Sequence, residues 1–164
     1  LASVSRVMND VVPAPVQQAA TRARALLADY RDAEDLISIG ACNDCHTPGF
    51  LMDPMGTKED EWMVGDSTGF RGPWGVTYPW NVRNMVARMT EDEWVNFVRS
   101  YEAAPPMPWW SIHNMSKDDV RAIYAFLKYL GPKGEEAPVA LPPGVEPTTP
   151  VYDFVPVMPV AAHQ

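Results

Sequence analysis

The chain has no long apolar segment, no excess of basic residues, and few cysteines and histidines. No stretch approaches the roughly 18 consecutive apolar residues that cross a bilayer, so we expect no transmembrane segment in this chain. Lys and Arg number 13 against 21 Asp and Glu, which gives a net charge of −8. Nucleic acids and anionic membranes attract basic surfaces. The composition therefore argues against binding to either.

Both cysteines fall in one pentapeptide, Cys42-Asn43-Asp44-Cys45-His46. This C-x-x-C-H spacing is the sequence signature of covalent c-type haem attachment. Cys42 and Cys45 are three residues apart, so on one turn of helix their sulfurs lean the same way and each can form a thioether with a porphyrin vinyl group. His46 follows at once and places an imidazole nitrogen on the iron. The motif predicts one covalently attached haem c, held by Cys42, Cys45 and His46.

Three other interpretations of the cysteine pair fare less well. A zinc site needs further Cys or His ligands at short spacing, and the other histidines, His113 and His163, are distant from the pentapeptide. A thioredoxin-like dithiol needs a βαβ setting, which the flanking sequence does not supply. Two ordinary buried cysteines would not require a histidine directly after them. Haem attachment remains the best interpretation.

Helical periodicity organises the chain around this motif. Apolar residues at three- and four-residue steps predict an amphipathic helix over residues 16–30, and a second short helix from Asp32 to Gly40 then leads to the pentapeptide. Residues 47–89 predict a long loop that needs a cofactor to fold upon. Two helices with capping sequences follow, one from Thr90 and one from Ser116, and the second stops at Gly131. No strand is predicted.

The C-terminal segment contains seven prolines after Pro132 and no helical period, so we expect an extended tail over residues 133–164. An apolar run at residues 151–155 indicates that this tail docks on the domain. The predicted organisation is an N-terminal extension with an amphipathic helix (1–31), a central domain (32–132) and the Pro-rich tail (133–164).

The second axial ligand decides whether the iron carries electrons or binds small molecules. Met107 is the best candidate, because prolines on both sides place it on a rigid, non-helical segment between two helices. Met115 precedes the helix cap Ser116, where an apolar residue commonly packs onto the next helix. Met85, Met89 and His113 stay open as alternatives, as does an iron without a second protein ligand.

The chain resembles the class I c-type cytochromes over residues 32–132. The resemblance rests on the sequence around the pentapeptide (41–48), the Gly-Pro-Trp-Gly run at 72–75, the residues 90–94, and Met107-Pro108-Trp109 with the helix that follows. It is particularly similar to monohaem bacterial periplasmic cytochromes and to cytochrome subunits of alcohol, aldehyde and sugar dehydrogenases. The resemblance implies an all-α class I fold around one covalent haem, with Met107 as the sixth iron ligand. The first helix and the tail lie outside it.

The expected function is that of an electron carrier and not of an enzyme. A His/Met-ligated haem passes single electrons between a donor and an acceptor redox protein. Because c-type haem is attached outside the cytoplasm, and because the chain begins at Leu1 without a signal peptide, we expect an exported, processed periplasmic protein. Two alternatives remain: a subunit permanently docked to a dehydrogenase or oxidase complex, and a haem protein with an open distal site for peroxidase chemistry or gas binding.

Overall fold

The computed structural model describes residues 13–156, except for the side chains of residues 26–29. The helix predicted over residues 16–30 and most of the tail lie within this range. Residues 1–12 and 157–164, and with them His163, lie outside the described residues. In the described part of the chain, no helix has the length and apolar character that crossing a membrane requires.

The described part of the chain contains six α-helices, which make up a little under half of it. In chain order they are α1 (Ala14–Ile39), α2 (Cys42–His46), α3 (Val82–Ala87), α4 (Glu91–Ser100), α5 (Trp109–Ile112) and α6 (Lys117–Leu130). A short 3-10 helix, Glu59–Glu61, lies in the loop between α2 and α3. The predicted capping boxes are confirmed: the Thr90 and Ser116 side chains accept from the backbone N–H groups of Glu93 and Asp119, whose carboxylates bind back.

α1 is one continuous helix of 26 residues, so the expected break between two helices near Asp32 is wrong. Residues 31–36 contain neither proline nor glycine, and Ala33, Glu34 and Leu36 are good helix formers. An aspartate at a possible N-cap position begins a new helix only where its own backbone is non-helical, and Asp32 lies inside the helix. The helix therefore continues across the predicted boundary at residue 32 to Gly40, directly before the pentapeptide.

The core lies where the second half of α1 packs against α6. Ala33 and Ile37 are fully buried, and on α6 Phe126 and Leu127 are nearly so. Tyr30 meets the Phe126 ring edge-on, with ring centroids 5.1 Å apart. Residues of α3 and α4 complete this core: Val82, Val86, Trp94, Val95 and Val98. The helix that leads to the pentapeptide is thereby fixed to the last helix of the domain.

The expectation of an all-α fold is wrong, because the described residues also contain a three-stranded mixed sheet. Its strands are β1 (Gly69–Gly72), β2 (Gly75–Thr77) and β3 (Val151–Asp153), in the order β2-β1-β3. β1 pairs antiparallel with β2 across a two-residue turn and parallel with β3. Strands of three or four residues carry almost no alternation of their own. Pairing across the sheet, not a local sequence pattern, stabilises them.

The tail docks on the domain, as its apolar run predicts. β3 supplies the third strand, and the ring of Tyr152 stacks on Phe70 at 5.6 Å. Arg71 forms ion pairs with Asp153 and Glu146, and the Tyr78 hydroxyl lies 2.9 Å from that of Thr149. The extended tail is therefore part of the folded domain over its described residues.

Arg83 connects three segments of the chain through hydrogen bonds to backbone carbonyls. Only 3% of this residue is exposed, and its guanidinium donates to the carbonyl oxygens of Asp60, Leu130 and Gly131. Two of these carbonyls lie at the C-terminal end of α6, where a cation interacts favourably with the helix dipole. Arg83 therefore connects α3 to the end of α6 and to the 3-10 helix.

Candidate functional site

The pentapeptide forms a short helix of its own, α2, directly after α1. The two helices are separated by Gly40 and Ala41, and Ala41 adopts the left-handed conformation at φ 54°. This conformation is uncommon for a residue with a Cβ atom and redirects the chain within one residue. Cys42, Cys45 and His46 are therefore presented on one helical turn, set off from the axis of α1.

Cys42 and Cys45 carry unpaired thiols, and both residues are half-buried. Burial is the main reason that the pKa of Cys42 is raised to about 11, and it raises the pKa of Cys45 in the same direction. Reactive dithiols of the thioredoxin kind have lowered pKa values instead. The local environment therefore does not activate this pair as a redox dithiol.

His46 is held in one tautomer by the backbone. Its Nδ1 donates to the carbonyl oxygen of Trp80 over 2.8 Å, while burial lowers the pKa of the imidazole and keeps it neutral. Since Nδ1 carries the proton, Nε2 carries the lone pair. Histidines that bind metals are typically fixed in this way, through a hydrogen bond from the other ring nitrogen to a carbonyl.

The backbone around His46 is fixed by the loop that follows the 3-10 helix. The His46 carbonyl accepts from the Gly65 N–H over 2.8 Å. The next residue, Thr47, is buried; its hydroxyl donates to Asn43 over 2.7 Å and accepts from the Met63 N–H over 2.9 Å. The loop thus holds the C-terminal end of the helical turn that carries His46, and Thr47 links this end to Asn43.

Gly65 lies where this loop passes closest to the segment carrying Trp80. Its φ is 78°, and a Cβ atom there would lie 2.7 Å from the Asn81 nitrogen and 2.9 Å from the Pro79 oxygen. A side chain at this position would meet backbone that cannot easily move. Gly65 therefore permits the contact between the His46 loop and the Trp80 segment.

We expect Gly65→Ala to lower the free energy of unfolding by about 2 to 3 kcal/mol, from left-handed strain together with the backbone clash. Gly49→Ala is a matched control, because Gly49 has φ 73° but nothing within 4 Å of the added Cβ. It should lose only about 1 kcal/mol. Denaturant titration of both variants measures the difference, and equal losses would show that the close approach at Gly65 does not matter.

The rings of Trp80, Phe97 and Tyr101 form an aromatic group within electrostatic range of Cys42. The Cys42 thiol is close enough to Tyr101 to contribute, after burial, to raising the pKa of that phenol to about 12. Phe97 stacks on Tyr101 with centroids 5.0 Å apart and an interplanar angle of 10°, and Trp80 lies 6.3 Å from Phe97. Phe97 and Tyr101 belong to the apolar stripe of the helix that begins after Thr90. Only the tertiary structure brings Trp80 to Phe97 and Cys42 within electrostatic range of Tyr101.

A cleft of about 700 Å³ opens beside this aromatic group. Met85, Met89, Phe97 and Trp80 contribute to its lining, and the charged side chains Arg88, Glu93 and Glu136 lie around it. Neither the cysteines nor His46 line this cleft, although Trp80 belongs both to the cleft and to the support of His46.

The methionines differ in what they contact. Met85, Met89 and Met115 pack against the hydrophobic core, whereas Met107 is not in that cluster. Met107 is partly buried, on a segment anchored to β2 by the hydrogen bond from the Thr77 hydroxyl to the Pro105 carbonyl, 2.8 Å long. Cys42, Cys45 and His46 share α2, while Met107 lies on a separate segment between α4 and α5.

His113 is already engaged through the nitrogen that usually binds iron. Its Nε2 donates to the Tyr101 carbonyl over 2.9 Å, and its ring packs against Tyr101 and Trp109. Ligation through Nε2 would require this hydrogen bond to break. The contact disfavours His113 relative to Met107 as a second ligand.

Within residues 13–156, no three His, Cys, Asp or Glu side chains come together as they would around a metal ion. Cys42, Cys45 and His46 therefore do not form a ligand cluster for a bare ion. Two unpaired thiols, one imidazole with a free Nε2 and a neighbouring aromatic group do fit a covalently attached haem, which needs two sulfurs and one iron ligand.

Comparison with known proteins gives one partial similarity. Residues 12–44 match the family model of the T3SS EscN ATPase C-terminal domain. The matched segment is about a fifth of the chain, consists mostly of α1 and ends before Cys45. It contains one glycine and no lysine, so it has no phosphate-binding loop of the P-loop kind. No curated protein and no solved structure matches the chain.

Proposed function

We propose that the chain is a monohaem c-type cytochrome, related to the class I cytochromes, which carries single electrons between redox proteins. The observation that supports this most directly is the hydrogen bond from His46 Nδ1 to the Trp80 carbonyl, beside two unpaired thiols. It leaves a neutral imidazole with Nε2 available, one residue after Cys45. An ordinary buried histidine can also donate a hydrogen bond to a carbonyl. What distinguishes His46 is that it directly follows a C-x-x-C pair.

Each residue has a distinct part in this proposal. The sulfurs of Cys42 and Cys45 would hold haem c through two thioethers, and His46 Nε2 and the Met107 sulfur would be the ligands of its iron. The attached haem supplies an iron that takes up and releases one electron. The Trp80 carbonyl keeps the imidazole oriented and strengthens it as a ligand. Phe97, Tyr101 and Trp80 provide apolar contact and exclude water near the cysteines.

The role of the protein in this chemistry is positioning and not catalysis. Electron transfer requires no general acid, base or nucleophile, and the raised pKa values of both cysteines agree with a structural role for their sulfurs. A rigid, largely apolar surrounding limits the rearrangement that accompanies a change of charge on the iron. We therefore propose an electron carrier and not an enzyme.

The proposed partners are a redox protein that donates the electron and another that accepts it. A net charge of −8 favours partners with basic docking surfaces and increases the rate at which they meet this chain at low salt. Because haem c is attached outside the cytoplasm, the proposed compartment is the bacterial periplasm.

A second candidate, a subunit permanently docked to a dehydrogenase or oxidase complex, is favoured by the N-terminal half of α1. Among the described side chains, the core cluster includes none from α1 before Tyr30, and Val16 is 54% exposed. A helix that extends beyond its own core has a face available to another protein. Gel filtration of a native extract distinguishes the two: a carrier elutes alone, whereas a docked subunit elutes with its complex.

The experiment that tests the carrier proposal is a redox titration followed by visible absorption. A single haem with two protein ligands should titrate reversibly as one one-electron step, and its reduced form should not bind carbon monoxide rapidly. Rapid binding of carbon monoxide by the wild-type protein would favour an open distal site over electron carriage.

A further inference from the structure

Asn81 directly follows Trp80, whose carbonyl holds the His46 imidazole, and its side chain contacts the first residues of the tail. Only 1% of the residue is exposed, and its whole amide group is used. The side-chain oxygen accepts from the Asn84 N–H over 2.9 Å and so caps α3. The side-chain nitrogen donates to the carbonyls of Lys133 and Glu135, over 2.8 and 3.0 Å.

The first residues of the tail, 133–136, are held against α3 by further contacts. Asn84 donates to the Gly134 carbonyl over 3.2 Å, and Arg88 forms an ion pair with Glu136. Arg88 and Glu136 are both well exposed, so their ion pair contributes little. The two bonds from the buried amide of Asn81 are the stronger attachment, because a buried polar group left without a partner costs more than an exposed one.

The backbone of Trp80 is thus held from two sides. Gly65 packs against it on one side, where an added Cβ would lie 3.0 Å from the Trp80 carbonyl carbon. Asn81 fixes the following peptide unit to α3 and to the tail on the other. The Trp80 carbonyl oxygen is the acceptor for His46 Nδ1, so its direction sets the direction of the imidazole.

We propose that Asn81 is a positioning residue: by binding tail residues 133–135, it orients the Trp80 carbonyl that fixes the His46 imidazole. The tail thereby becomes part of the support of the site. The consequence for the iron rests on the proposed function. The geometric claim, that the tail holds the His46 hydrogen bond in place, holds for the protein with or without haem.

Asn81→Asp separates this role from helix capping. Aspartate is as good an N-cap as asparagine, so the bond from the Asn84 N–H is kept. A carboxylate has no N–H, so both bonds to the tail are lost and its oxygens face the Lys133 and Glu135 carbonyls. Asn84→Ala is the matched control, because it removes one tail contact on the same helix and leaves Asn81 intact.

The measurement is the exchange rate of the His46 Nδ1 proton with water, followed by NMR in the full-length protein. We expect Asn81→Asp to accelerate exchange at least about tenfold, since losing one buried hydrogen bond changes a local opening equilibrium by about that factor. Asn84→Ala should stay close to wild type.

The reduction potential is the second readout. A weaker Nδ1–H···O bond makes the imidazole a weaker donor to the iron and shifts the potential upward, whereas the carboxylate added in Asn81→Asp shifts it downward. The potential is therefore read in the charge-neutral variant Gly134→Ala, where it should rise. Unchanged exchange in Asn81→Asp, or an unchanged potential in Gly134→Ala, would overturn the proposal, as would an equal change of exchange in Asn84→Ala. If Asn81→Asp does not fold, Gly134→Ala, which strains the tail backbone at φ 77°, takes its place under the same criteria.

The two proposals fail in different ways. A protein without haem that still shows faster exchange in Asn81→Asp would refute the cytochrome proposal and keep the positioning role. A protein that carries haem but has the same exchange rate in every variant would refute the positioning role and keep the cytochrome proposal.

Discussion

A chain in which Cys42 and Cys45 are both replaced by alanine is expected to contain no covalently attached haem. The two sulfurs are the only thiols of the sequence, so no other residue can form the thioethers. The effect is all or none, because attachment is a covalent bond and not a sum of weak contacts. Extraction under denaturing conditions, which removes non-covalent haem, followed by the visible spectrum of the protein fraction, measures it.

The single variants Cys42→Ala and Cys45→Ala are the controls for this result. Each keeps one sulfur on α2 and the His46 imidazole, so each is expected to retain at most one thioether and a smaller amount of haem. The attachment proposal fails if the double variant keeps haem through denaturing extraction, or if the wild-type protein never carries it.

Met107→Ala is expected to remove the sixth iron ligand and leave the fold largely intact. Thioether ligation raises the reduction potential, and axial ligands as a class change it by several tenths of a volt. We therefore expect a fall on the order of 0.1 V, together with new, rapid binding of carbon monoxide by the reduced protein. Met107 is partly buried and outside the core cluster, so the loss of stability should be small.

Met115→Ala is the matched control, because it should lower the stability of the fold and leave the iron ligands unchanged. Met115 packs against the core, so its truncation should cost about 2 kcal/mol of unfolding free energy. Its ligation and potential should remain those of wild type. If Met115→Ala binds carbon monoxide rapidly and Met107→Ala does not, the second ligand is Met115 and not Met107.

Where a pattern was local, the sequence predicted the structure well. The helices that begin after Thr90 and Ser116 have the predicted capping boxes, since a cap and an apolar stripe are encoded within a few residues. The docking of the tail was also predicted, from an apolar run that needs a surface to cover. These features depend on short-range chemistry.

Features that depend on distant residues were not predicted. β1 and β2 are too short to be recognised alone, and the partner β3 lies more than 70 residues further along the chain. The support of His46 by the Trp80 carbonyl and by Gly65 involves backbone atoms, which side-chain patterns do not report. Asn81 looks like any turn asparagine until the tail carbonyls are seen beside it.

The candidate site divides in the same way. Cys42, Cys45 and His46 could be named from the sequence, because the C-x-x-C-H spacing by itself indicates haem attachment. Phe97 and Tyr101 belong to a helical stripe that looks like ordinary core. Only the electrostatic effect of Cys42 on Tyr101 connects that stripe to the pentapeptide.

The mass of the tryptic peptide that contains both cysteines tests the central claim most directly. Cleavage after Arg31 and Lys58 releases residues 32–58, with no Lys or Arg between them. The peptide from the natural protein is expected to be heavier than its sequence by one haem, with the added mass fragmenting at Cys42 and Cys45. A peptide at its unmodified mass, or lighter by two hydrogens from a disulfide between Cys42 and Cys45, would contradict haem attachment.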